Sequence, residues 1–350
     1  MNRAFFASES RGSTCVGTGL VALDVLINGS QSHKPRLWAG GSCANVLTIL
    51  ACLGWSSYPI AQLGKDRASD VILEDTRRWG VRSDLIFRDI RSSTPIVIER
   101  LANGRNTLTH EFRFKCPNCG APLPRNRPIS AELVDEIIPR MPFAQVYYFD
   151  RVSRAGLEFA KVQRSRGALI MFEPCRFSTV RLFKRCLDIA HIVKYSSEHE
   201  DDKTLKRKIP LEIQTLGSEG LRYRMGSVTR EHAWQKLHAY RVRELVDSAG
   251  AGDWCSAGAV HLLGRNGAAG FREASREDVE NALRFGQRLA ALDCSYEGAR
   301  GPMYNLSKTE FESLVQKLIL EENFEVLLPR VPRETQRRVS MFMCPSCPHE

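Results

Sequence analysis

The sequence predicts an α/β fold, in which helices cover both faces of a mostly parallel sheet and a small β-hairpin projects from it. From residue 128 onward, short apolar strands alternate with amphipathic helices, as in successive βαβ units. Residues 94–114 instead form two alternating runs around Asn103-Gly104, which is a strong hairpin signal. The 350 residues allow one large domain or two smaller ones, and a hydrophobic content of 43% excludes disorder as the main state.

The strands and helices before and within the hairpin follow from residue type and spacing. The predicted strands are 14–28, as a pair or one bent strand, then 58–62, a strand near Leu85, and the hairpin 94–114. Ser42 is the predicted N-cap of a helix that Gly54 ends, and a second helix over 66–79 is ended by Gly80.

After the hairpin the alternation is regular. The predicted helices are 131–138, 153–166 and 179–187, and the predicted strands are 145–149, 168–172, 189–193 and 211–216. Antiparallel strands are expected within 221–234, and the closing helices are 254–263, 275–292 and 307–318. This order predicts a parallel sheet buried on both faces.

Composition and charge limit the class of protein. The chain has no run of the roughly 18 apolar residues that a membrane helix needs, and residues 1–12 lack the apolar core of a signal peptide, so we expect a cytoplasmic protein without a membrane partner. The net charge of +10 suits anionic ligands or nucleic acid. Because no aromatic residues interleave with the basic ones, we interpret them as a solvated face and do not expect nucleic acid as a partner.

The eleven cysteines divide into two groups. An odd total in a chain without an export signal argues against a disulfide framework. Seven lie singly among apolar or small residues and are expected to be small core residues: Cys15, Cys43, Cys52, Cys175, Cys186, Cys255 and Cys294. The other four form the pairs Cys116-Pro-Asn-Cys119 and Cys344-Pro-Ser-Cys347.

Each cysteine pair has the spacing with which two thiolates bind one metal ion, and two such pairs would complete a tetrahedral Zn²⁺ site. We hypothesise that Cys116, Cys119, Cys344 and Cys347 share one structural Zn²⁺ that fastens the C-terminal tail to the base of the hairpin. The alternatives are redox-active dithiols, or one pair that binds metal with His349 or with a second subunit.

Four glycine-rich segments are candidates for a phosphate or nucleotide site. The segment Gly17-Thr-Gly19-Leu-Val-Ala22 fits the dinucleotide fingerprint only formally, because its flanks are β-like and Asp24 follows too soon. No P-loop sequence is present. The second segment places two glycines before a helix whose first turn holds Asn45, which offers a donor and an acceptor to a hydroxyl group, although a plain loop with a helix cap is the alternative.

The third segment, Asp247-Ser-Ala-Gly-Ala-Gly-Asp253, directly precedes an apolar helix. Small residues at a helix start leave backbone N–H groups free to surround an anion, and the helix dipole favours negative charge there. Asp253 could take a proton from a hydroxyl nucleophile, or could be only an N-cap. The fourth segment, Thr215-Leu-Gly217-Ser-Glu-Gly220, is either a turn against which a nucleotide lies or an ordinary β-turn.

In this order the segments resemble the ribokinase-like, or PfkB, carbohydrate kinase family, over residues from about Val16 to Pro302. Residues 40–45 with the downstream Gln62-Leu-Gly-Lys-Asp66 look like the first signature of the family, and residues 247–253 look like the second. The resemblance implies a ribokinase-like three-layer αβα sandwich with a central mostly parallel sheet and a small β-lid. The kinase domain would span 1–320, with the lid at about 94–127 including the first cysteine pair, and residues 321–350 would form the tail.

The resemblance also implies an activity, the transfer of the γ-phosphate of ATP to a hydroxyl group of a sugar or sugar-like molecule. Its implied roles are Asp253 as catalytic base, an anion hole at Gly250, Ala251 and Gly252, substrate contacts at Asp24, Gly41 and Asn45, and nucleotide contacts at Thr215, Gly217, Gly220 and Ser248. The lid would close over the substrate and pair with a second subunit in a homodimer.

Two departures from the family pattern bear on these roles. Ser248 replaces the usual threonine and keeps its hydroxyl. The segment that orders water around Mg²⁺ lacks the usual asparagine, so that either Glu198 or Glu200 could act on the hydration shell of the metal. The family also has members with a K⁺ site, which would lie near Asp247, Ser248 and the 298–301 loop.

The acceptor stays open at this level. Sugars, sugar acids, sugar phosphates and nucleosides all have kinases in the family, and Arg113 or Arg176 could meet an acidic substrate or could serve only at the surface. The alternatives to a sugar kinase are a nucleoside kinase and a non-catalytic binding or regulatory protein that keeps the kinase fold, which the missing asparagine favours.

Overall fold

The computed structural model describes residues 12–28, 36–103, 108–176, 180–197, 209–226, 233–320, 344, 346 and 347. The described strands are β1 (Thr14–Thr18), β2 (Ala22–Asn28), β3 (Arg36–Gly40), β4 (Ser56–Gly64), β5 (Ile86–Asp89), β6 (Ile96–Asn103), β7 (Leu108–Arg113), β8 (Val146–Phe149), β9 (Leu169–Phe172), β10 (Ile192–Ser196), β11 (Leu211–Thr215), β12 (Leu221–Met225) and β13 (Gln235–Leu237). The described helices are α1 (Ser42–Cys52), α2 (Arg67–Arg78), α3 (Ala131–Arg140), α4 (Arg154–Ser165), α5 (Arg181–Ile189), α6 (Ala251–Leu263), α7 (Gly267–Glu273), α8 (Arg276–Asp293), α9 (Gly301–Asn305) and α10 (Lys308–Leu320).

The main sheet has nine strands in the order β13-β12-β11-β10-β9-β8-β1-β4-β5. Its strands from β11 to β5 run parallel, and β12 and β13 are antiparallel at one edge. One apolar core lies between the sheet and the helices α1, α6 and α8, and a second lies between its other face and α3, α4 and α5. The predicted α/β architecture with a mostly parallel central sheet is therefore confirmed.

The strand order reverses between β1 and β8. From β1 the chain proceeds to β4 and β5 on one side and later returns to β8 and the following strands on the other. In open parallel sheets the crevice at such a reversal, beyond the carboxyl ends of the strands, is the usual ligand site. Here the loops after β1 and β8 touch, because the backbone N–H of Leu20 donates to Oδ1 of Asp150 at 3.0 Å.

A second sheet of four strands, β3-β2-β6-β7, forms the lid. The hairpin expected over 94–114 is present as β6 and β7, and its connection at 104–107 lies outside the described residues. The expected strand pair at 14–28 is instead divided between the sheets, with β1 in the main sheet and β2 in the lid. The bend falls at Gly19, where an added Cβ would lie only 1.5 Å from Oδ1 of Asp150. A side chain has no space at this bend.

Two helix starts differ from the sequence-based expectation. Gly41, not Ser42, is the N-cap of α1, at φ +91°, and an added Cβ there would lie 2.5 Å from the carbonyl oxygen of Leu20. Helix α6 begins at Ala251, three residues earlier than predicted. The short helices α7 and α9 and strand β3 were not predicted, because segments of five to seven residues carry too little periodicity. Among the described residues, no helix is long and apolar enough to cross a membrane.

Candidate active site

The start of α6 presents backbone donors and the Asp253 carboxyl group to one point. Gly250 is the N-cap in the left-handed conformation, at φ +80°, and an added Cβ would lie 2.2 Å from the carbonyl oxygen of Ala299. First-turn N–H groups have no intrahelical partner, although that of Ala251 also donates to the carbonyl oxygen of Ser248 at 3.3 Å. Asp253 lies within the first turn and does not cap the helix, so the interpretation of Asp253 as only an N-cap is wrong.

Asp253 is held by a side chain from the opposite helix. The amide Nδ2 of Asn45, in the first turn of α1, donates to Oδ2 of Asp253 at 2.8 Å. The other amide atom, Oδ1 of Asn45, is buried and has no hydrogen-bond partner among the described residues. Such an acceptor is available to a hydroxyl group of a ligand.

The pKa of Asp253 is raised to about 7. Burial is the largest cause and the negative charge of Glu173 adds to it, whereas the Asn45 hydrogen bond and the charge of Lys194 lower the pKa. A carboxyl group with a pKa near neutrality is a stronger base than an ordinary aspartate, and about half of it is still ionised at neutral pH. These properties suit proton abstraction from a hydroxyl group.

A buried ion pair supports the first turn of α6 from below. The ammonium group of Lys194, in β10, pairs with Oε1 of Glu173 and donates to the carbonyl oxygen of Gly252 at 3.1 Å. Oε2 of Glu173 accepts from the hydroxyl groups of Tyr148, at 3.1 Å, and Ser256, at 2.6 Å. Burial lowers the pKa of Lys194 and the Glu173 carboxylate more than offsets this, so that the pKa is raised and the ammonium stays charged.

Sequence reasoning missed this ion pair as part of the site. Lys194 stands in the apolar strand IVKYS, and Glu173 follows the apolar strand LIMF. A charged residue within or directly after a buried strand was the signal that could have identified each of them.

The predicted acceptor residues also converge on this point. Asp24, in β2, is 8% exposed and accepts a hydrogen bond from the backbone N–H of Gly41. An added Cβ at Gly40 would lie 1.6 Å from Oδ2 of Asp24, so the glycine allows the carboxyl group to approach the backbone. Burial raises the pKa of Asp24 to about 7, the Arg300 guanidinium opposes this, and the charge of Asp253 adds to it. The structure therefore brings Asp24, Gly41, Asn45 and Asp253 together.

Arg300 joins the lid to the main body beside Asp24. It is 1% exposed, donates to the carbonyl oxygen of Ala39 in β3, and pairs with Oδ2 of Asp75 at 2.6 Å. The hydroxyl of Tyr304 donates to the same carboxylate at 2.8 Å. Arg300 is a further residue that sequence reasoning did not single out.

Both carboxylate oxygens of Asp247, in the region of the predicted K⁺ site, accept hydrogen bonds from backbone N–H groups. Oδ1 of Asp247 accepts from the N–H of Ala249 and Oδ2 accepts from the N–H of Gly298, both at 2.8 Å. Asp293 is buried nearby, and its pKa is raised well above the ordinary value by burial and by the charges of Asp247 and Asp253. Ser248 is exposed at this end of the segment.

The predicted nucleotide turn lies at the carboxyl end of β11 in the main sheet. Residues Gly217–Glu219 form a 3-10 turn after β11, and Gly220, at φ +101°, would place an added Cβ 2.2 Å from the carbonyl oxygen of Leu237. Thr215 is paired in register with Ser196 in β10, two residues beyond Lys194. The turn therefore lies one strand away from β10, the strand that carries Lys194. Glu198 and Glu200, the candidate Mg²⁺ residues, lie outside the described residues.

A cavity of about 220 Å³ opens at the reversal of strand order. Its walls come from the ends of β1, β4 and β8 and from the segment before α3, and include Thr18, Gly19, Gln62, Asn126, Arg127 and Arg151. Arg113 and Arg176, which sequence reasoning offered for an acidic substrate, are exposed and do not line it.

Comparison with known proteins agrees with this fold. No protein-family model matches the chain. Probable fructokinase-5 of Arabidopsis thaliana is 22% identical over 288 residues, which cover 74% of this chain and 83% of the relative. A fructokinase from Xylella fastidiosa, solved with bound ATP, superposes with a TM-score of 0.68 at 20% identity and covers 87% of this chain and 98% of its own.

Other solved structures share the fold. An Arabidopsis thaliana ribokinase in complex with ribose and ATP superposes with a TM-score of 0.64 at 17% identity, over 89% of this chain and 100% of its own. Fructokinase structures from Vibrio cholerae O395 hold fructose, ADP and a calcium or a potassium ion.

The fold and the motif order together define a ribokinase-like protein. The resemblance to the ribokinase-like, or PfkB, carbohydrate kinases is confirmed, and the relatives named above are fructokinases and a ribokinase.

Proposed function

We propose that the protein is an ATP-dependent kinase that transfers the γ-phosphate to a hydroxyl group of a sugar or sugar-like molecule, with Asp253 as the catalytic base. The observation that carries this proposal is the position of Asp253 at the start of α6, hydrogen-bonded to Asn45 and with a pKa of about 7. The non-catalytic alternative gives no reason for a buried carboxyl group to be held at this pKa beside the first-turn backbone donors of a helix.

In the proposed reaction the acceptor hydroxyl donates a hydrogen bond to Asp253, while neighbouring hydroxyl groups contact Asp24 and Oδ1 of Asn45. Asp253 takes the proton as the oxygen bonds to the γ-phosphorus, and the bond from that phosphorus to the β,γ-bridging oxygen breaks to release ADP. The N–H groups of Gly250, Ala251 and Gly252 stabilise the charge on the transferred phosphoryl group. Lys194 holds the carbonyl group of Gly252 and so orients this turn.

The nucleotide would lie against Thr215, Gly217, Gly220 and Ser248. A Mg²⁺ ion would neutralise charge on the phosphates, with Glu198 or Glu200 acting on its hydration shell. A K⁺ ion near Asp247 and the 298–301 loop would offset the clustered charge that raises the pKa of Asp293. The predicted Zn²⁺ would bind away from this chemistry, at the four paired cysteines.

The cavity at the strand reversal offers an acidic acceptor other arginines than Arg113 and Arg176, which do not line it. Arg127 and Arg151 line it, although Arg151 already pairs with Asp150 at 2.9 Å. Acidic sugars therefore belong in the acceptor screen beside neutral ones and nucleosides, which test the nucleoside kinase alternative.

A homodimer through the lid is supported by the edge that the lid sheet presents among the described residues. Strand β7 is the edge strand, and Phe112 on β7 and Phe114 just beyond it are 53% and 44% exposed. An edge strand with neighbouring exposed aromatic side chains is a common pairing surface. Light scattering should give twice the chain mass, and replacing both phenylalanines by serine should shift it towards the monomer.

The function is tested by ATP turnover across a library of sugars, sugar acids and nucleosides, with fructose and ribose first. One or a few acceptors should give acceptor-dependent ADP release and a phosphorylated product by mass spectrometry. Purified, folded protein that binds ATP but phosphorylates no member of the library would favour the non-catalytic alternative.

A further inference from the structure

The four paired cysteines form one cluster, although the pairs are more than 220 residues apart in sequence. The Sγ atoms of Cys116 and Cys347 are 3.6 Å apart, and those of Cys119 and Cys344 are 3.7 Å apart. All four Sγ atoms lie within 4.8 Å of one another. A disulfide needs sulfur atoms about 2.05 Å apart, so these distances describe four separate thiol groups.

The spacing matches a tetrahedral metal site. With zinc–sulfur bonds of about 2.3 Å, the sulfur atoms of a tetrahedral site lie about 3.8 Å apart. Two of the sulfur–sulfur distances in the cluster, 3.6 and 3.7 Å, are close to this edge. Four thiolates in this arrangement select zinc or iron over the hard cations that bind nucleotides.

The backbone around the first pair is already folded as a metal knuckle. The N–H of Cys116 donates to the carbonyl oxygen of Ala121 at 2.8 Å, and Gly120 closes the turn at φ +73° with its N–H on the carbonyl oxygen of Cys116 at 2.9 Å. The N–H of Ala121 also donates to the sulfur of Cys119. Backbone donors to sulfur orient thiolate ligands and offset their charge.

The second pair has the matching arrangement. The N–H of Ser346 donates to the sulfur of Cys344, and the N–H of Cys347 donates to the carbonyl oxygen of Cys344 at 3.1 Å. Cys344 is 1% exposed and Cys116 is 2% exposed, and both belong to the apolar cluster of the lid.

The knuckle is connected to the acceptor site through two strands. Residues 114–124 hydrogen-bond back on themselves, from the N–H of Leu123 to the carbonyl oxygen of Phe114 at 2.9 Å. The carbonyl oxygen of Pro124 accepts from the N–H of Ile96 at 3.1 Å, at the start of β6. Strand β6 pairs with β2 in parallel, in the register that sets Asp24 opposite Val97.

We propose that Cys116, Cys119, Cys344 and Cys347 bind one Zn²⁺ ion, which clasps the second cysteine pair to the base of the lid and thereby holds β6 and β2 in the position that the acceptor site needs. The effect on the acceptor rests on the proposed kinase function, whereas the metal site does not. Because the clasp is connected to Asp24 and not to the nucleotide turn, its loss weakens acceptor binding more than ATP binding.

Metal content tests the site directly. Protein expressed with zinc and purified without chelator should contain one zinc per chain by elemental analysis. Cys344→Ser/Cys347→Ser should lose it, whereas the control Cys175→Ser, at an exposed cysteine outside the cluster, should keep it. Protein with no zinc and no uptake of added Zn²⁺ under reducing conditions, stoichiometric iron in place of zinc, or one zinc per two chains would each overturn the proposal.

Cobalt substitution tests the ligands without relying on a variant that folds. Wild-type protein stripped with a chelator and reloaded with Co²⁺ should show the visible bands and thiolate charge-transfer absorption of a tetrahedral four-sulfur site. A Co²⁺ complex without thiolate charge transfer would overturn the ligand assignment.

The clasp is tested by the kinetics of folded, zinc-free protein. Where the double variant does not fold, wild-type protein stripped of its metal takes its place. We expect the acceptor KM to rise at least roughly tenfold, a loss of about 1.4 kcal/mol, with the ATP KM nearly unchanged. An unchanged acceptor KM would overturn the clasp but leave the metal site standing. Failure to find any acceptor would refute the kinase proposal and leave the zinc measurements intact.

Discussion

Replacing Asp253 by asparagine should slow phosphoryl transfer severely while leaving the fold and the nucleotide site in place. Asparagine has nearly the same shape, and its carbonyl oxygen can still accept the 2.8 Å hydrogen bond from Nδ2 of Asn45. It cannot take a proton from the acceptor hydroxyl. A general base contributes about 10²- to 10⁴-fold to a rate, so kcat should fall by that factor. This corresponds to a rise of about 3–5 kcal/mol in the activation free energy.

The pH dependence of the wild-type reaction rate gives a second quantitative test of Asp253. With the pKa raised from 3.8 to about 7, roughly half of Asp253 is ionised at pH 7 and about a tenth at pH 6. Because only the carboxylate acts as a base, kcat/KM should fall at least about tenfold per pH unit below 7 and level off above it. The residual activity of Asp253→Asn should keep only the dependence that Asp24, whose pKa is also about 7, imposes on acceptor binding.

The raised pKa of Asp253 also makes the stability of the folded protein depend on pH. The folded state raises the pKa of Asp253 above its unfolded value, so this carboxyl group contributes stability below about pH 4 that is lost as the pH rises towards 7. Asp253→Asn should therefore melt higher than the wild type at pH 8, and the difference should shrink at pH 5. Asp135→Asn, on the exposed side of α3, is the matched control and should change neither rate nor melting.

The assay is acceptor-dependent ADP release with an acceptor identified by the screen, together with ATP affinity measured by calorimetry. A kcat within about threefold of the wild type for Asp253→Asn, or an Asp253-independent pH profile, would show that another group removes the proton.

Three further substitutions test the surrounding frame. Gly250→Ala would set its Cβ 2.2 Å from the carbonyl oxygen of Ala299, so it should lower the free energy of unfolding in urea by at least about 2 kcal/mol. The control Gly80→Ala, whose φ is also positive but whose surroundings are open, should lower it by about 1 kcal/mol. Equal losses would contradict the predicted contact. Asp24→Asn should raise the acceptor KM and leave the ATP KM unchanged, and a change in the ATP KM alone would place this residue elsewhere. Lys194→Gln should lower kcat by ~10- to 100-fold with little change in either KM, because it disturbs the turn and not the ligands; a KM effect alone would contradict this positioning role.

Sequence reasoning identified the site residues that stand next to one another in the chain, because their chemistry requires adjacent positions. An anion hole before a helix requires consecutive small residues, so Gly250, Gly252 and Asp253 appear as one motif in the sequence. Glu173 and Lys194 were missed because one follows β9 and the other lies within β10. Their contact depends on the order of β9 and β10 in the sheet, which no local pattern encodes.

The lid shows the same division between local and distant information. Its hairpin is a local structure with a local turn signal, and it was predicted. Strand β3 pairs with β2 only because the bend at Gly19 takes the chain out of the main sheet, and this bend is set by the distant carboxyl group of Asp150. The cysteine pairs were identified by spacing, but only the fold shows that the four sulfur atoms meet.

The proposed acceptor site holds two carboxyl groups that burial makes difficult to ionise together. Asp24 and Asp253 both have a pKa of about 7, and the charge of Asp253 raises the pKa of Asp24. An acceptor that donates hydroxyl hydrogen bonds to both favours their ionised forms and lowers both pKa values. Acceptor binding near pH 7 should therefore release protons, which calorimetry in buffers of different ionisation enthalpy measures directly. Proton release should fall in Asp24→Asn and in Asp253→Asn, and proton uptake by the wild type would mean that the acceptor does not engage these carboxylates.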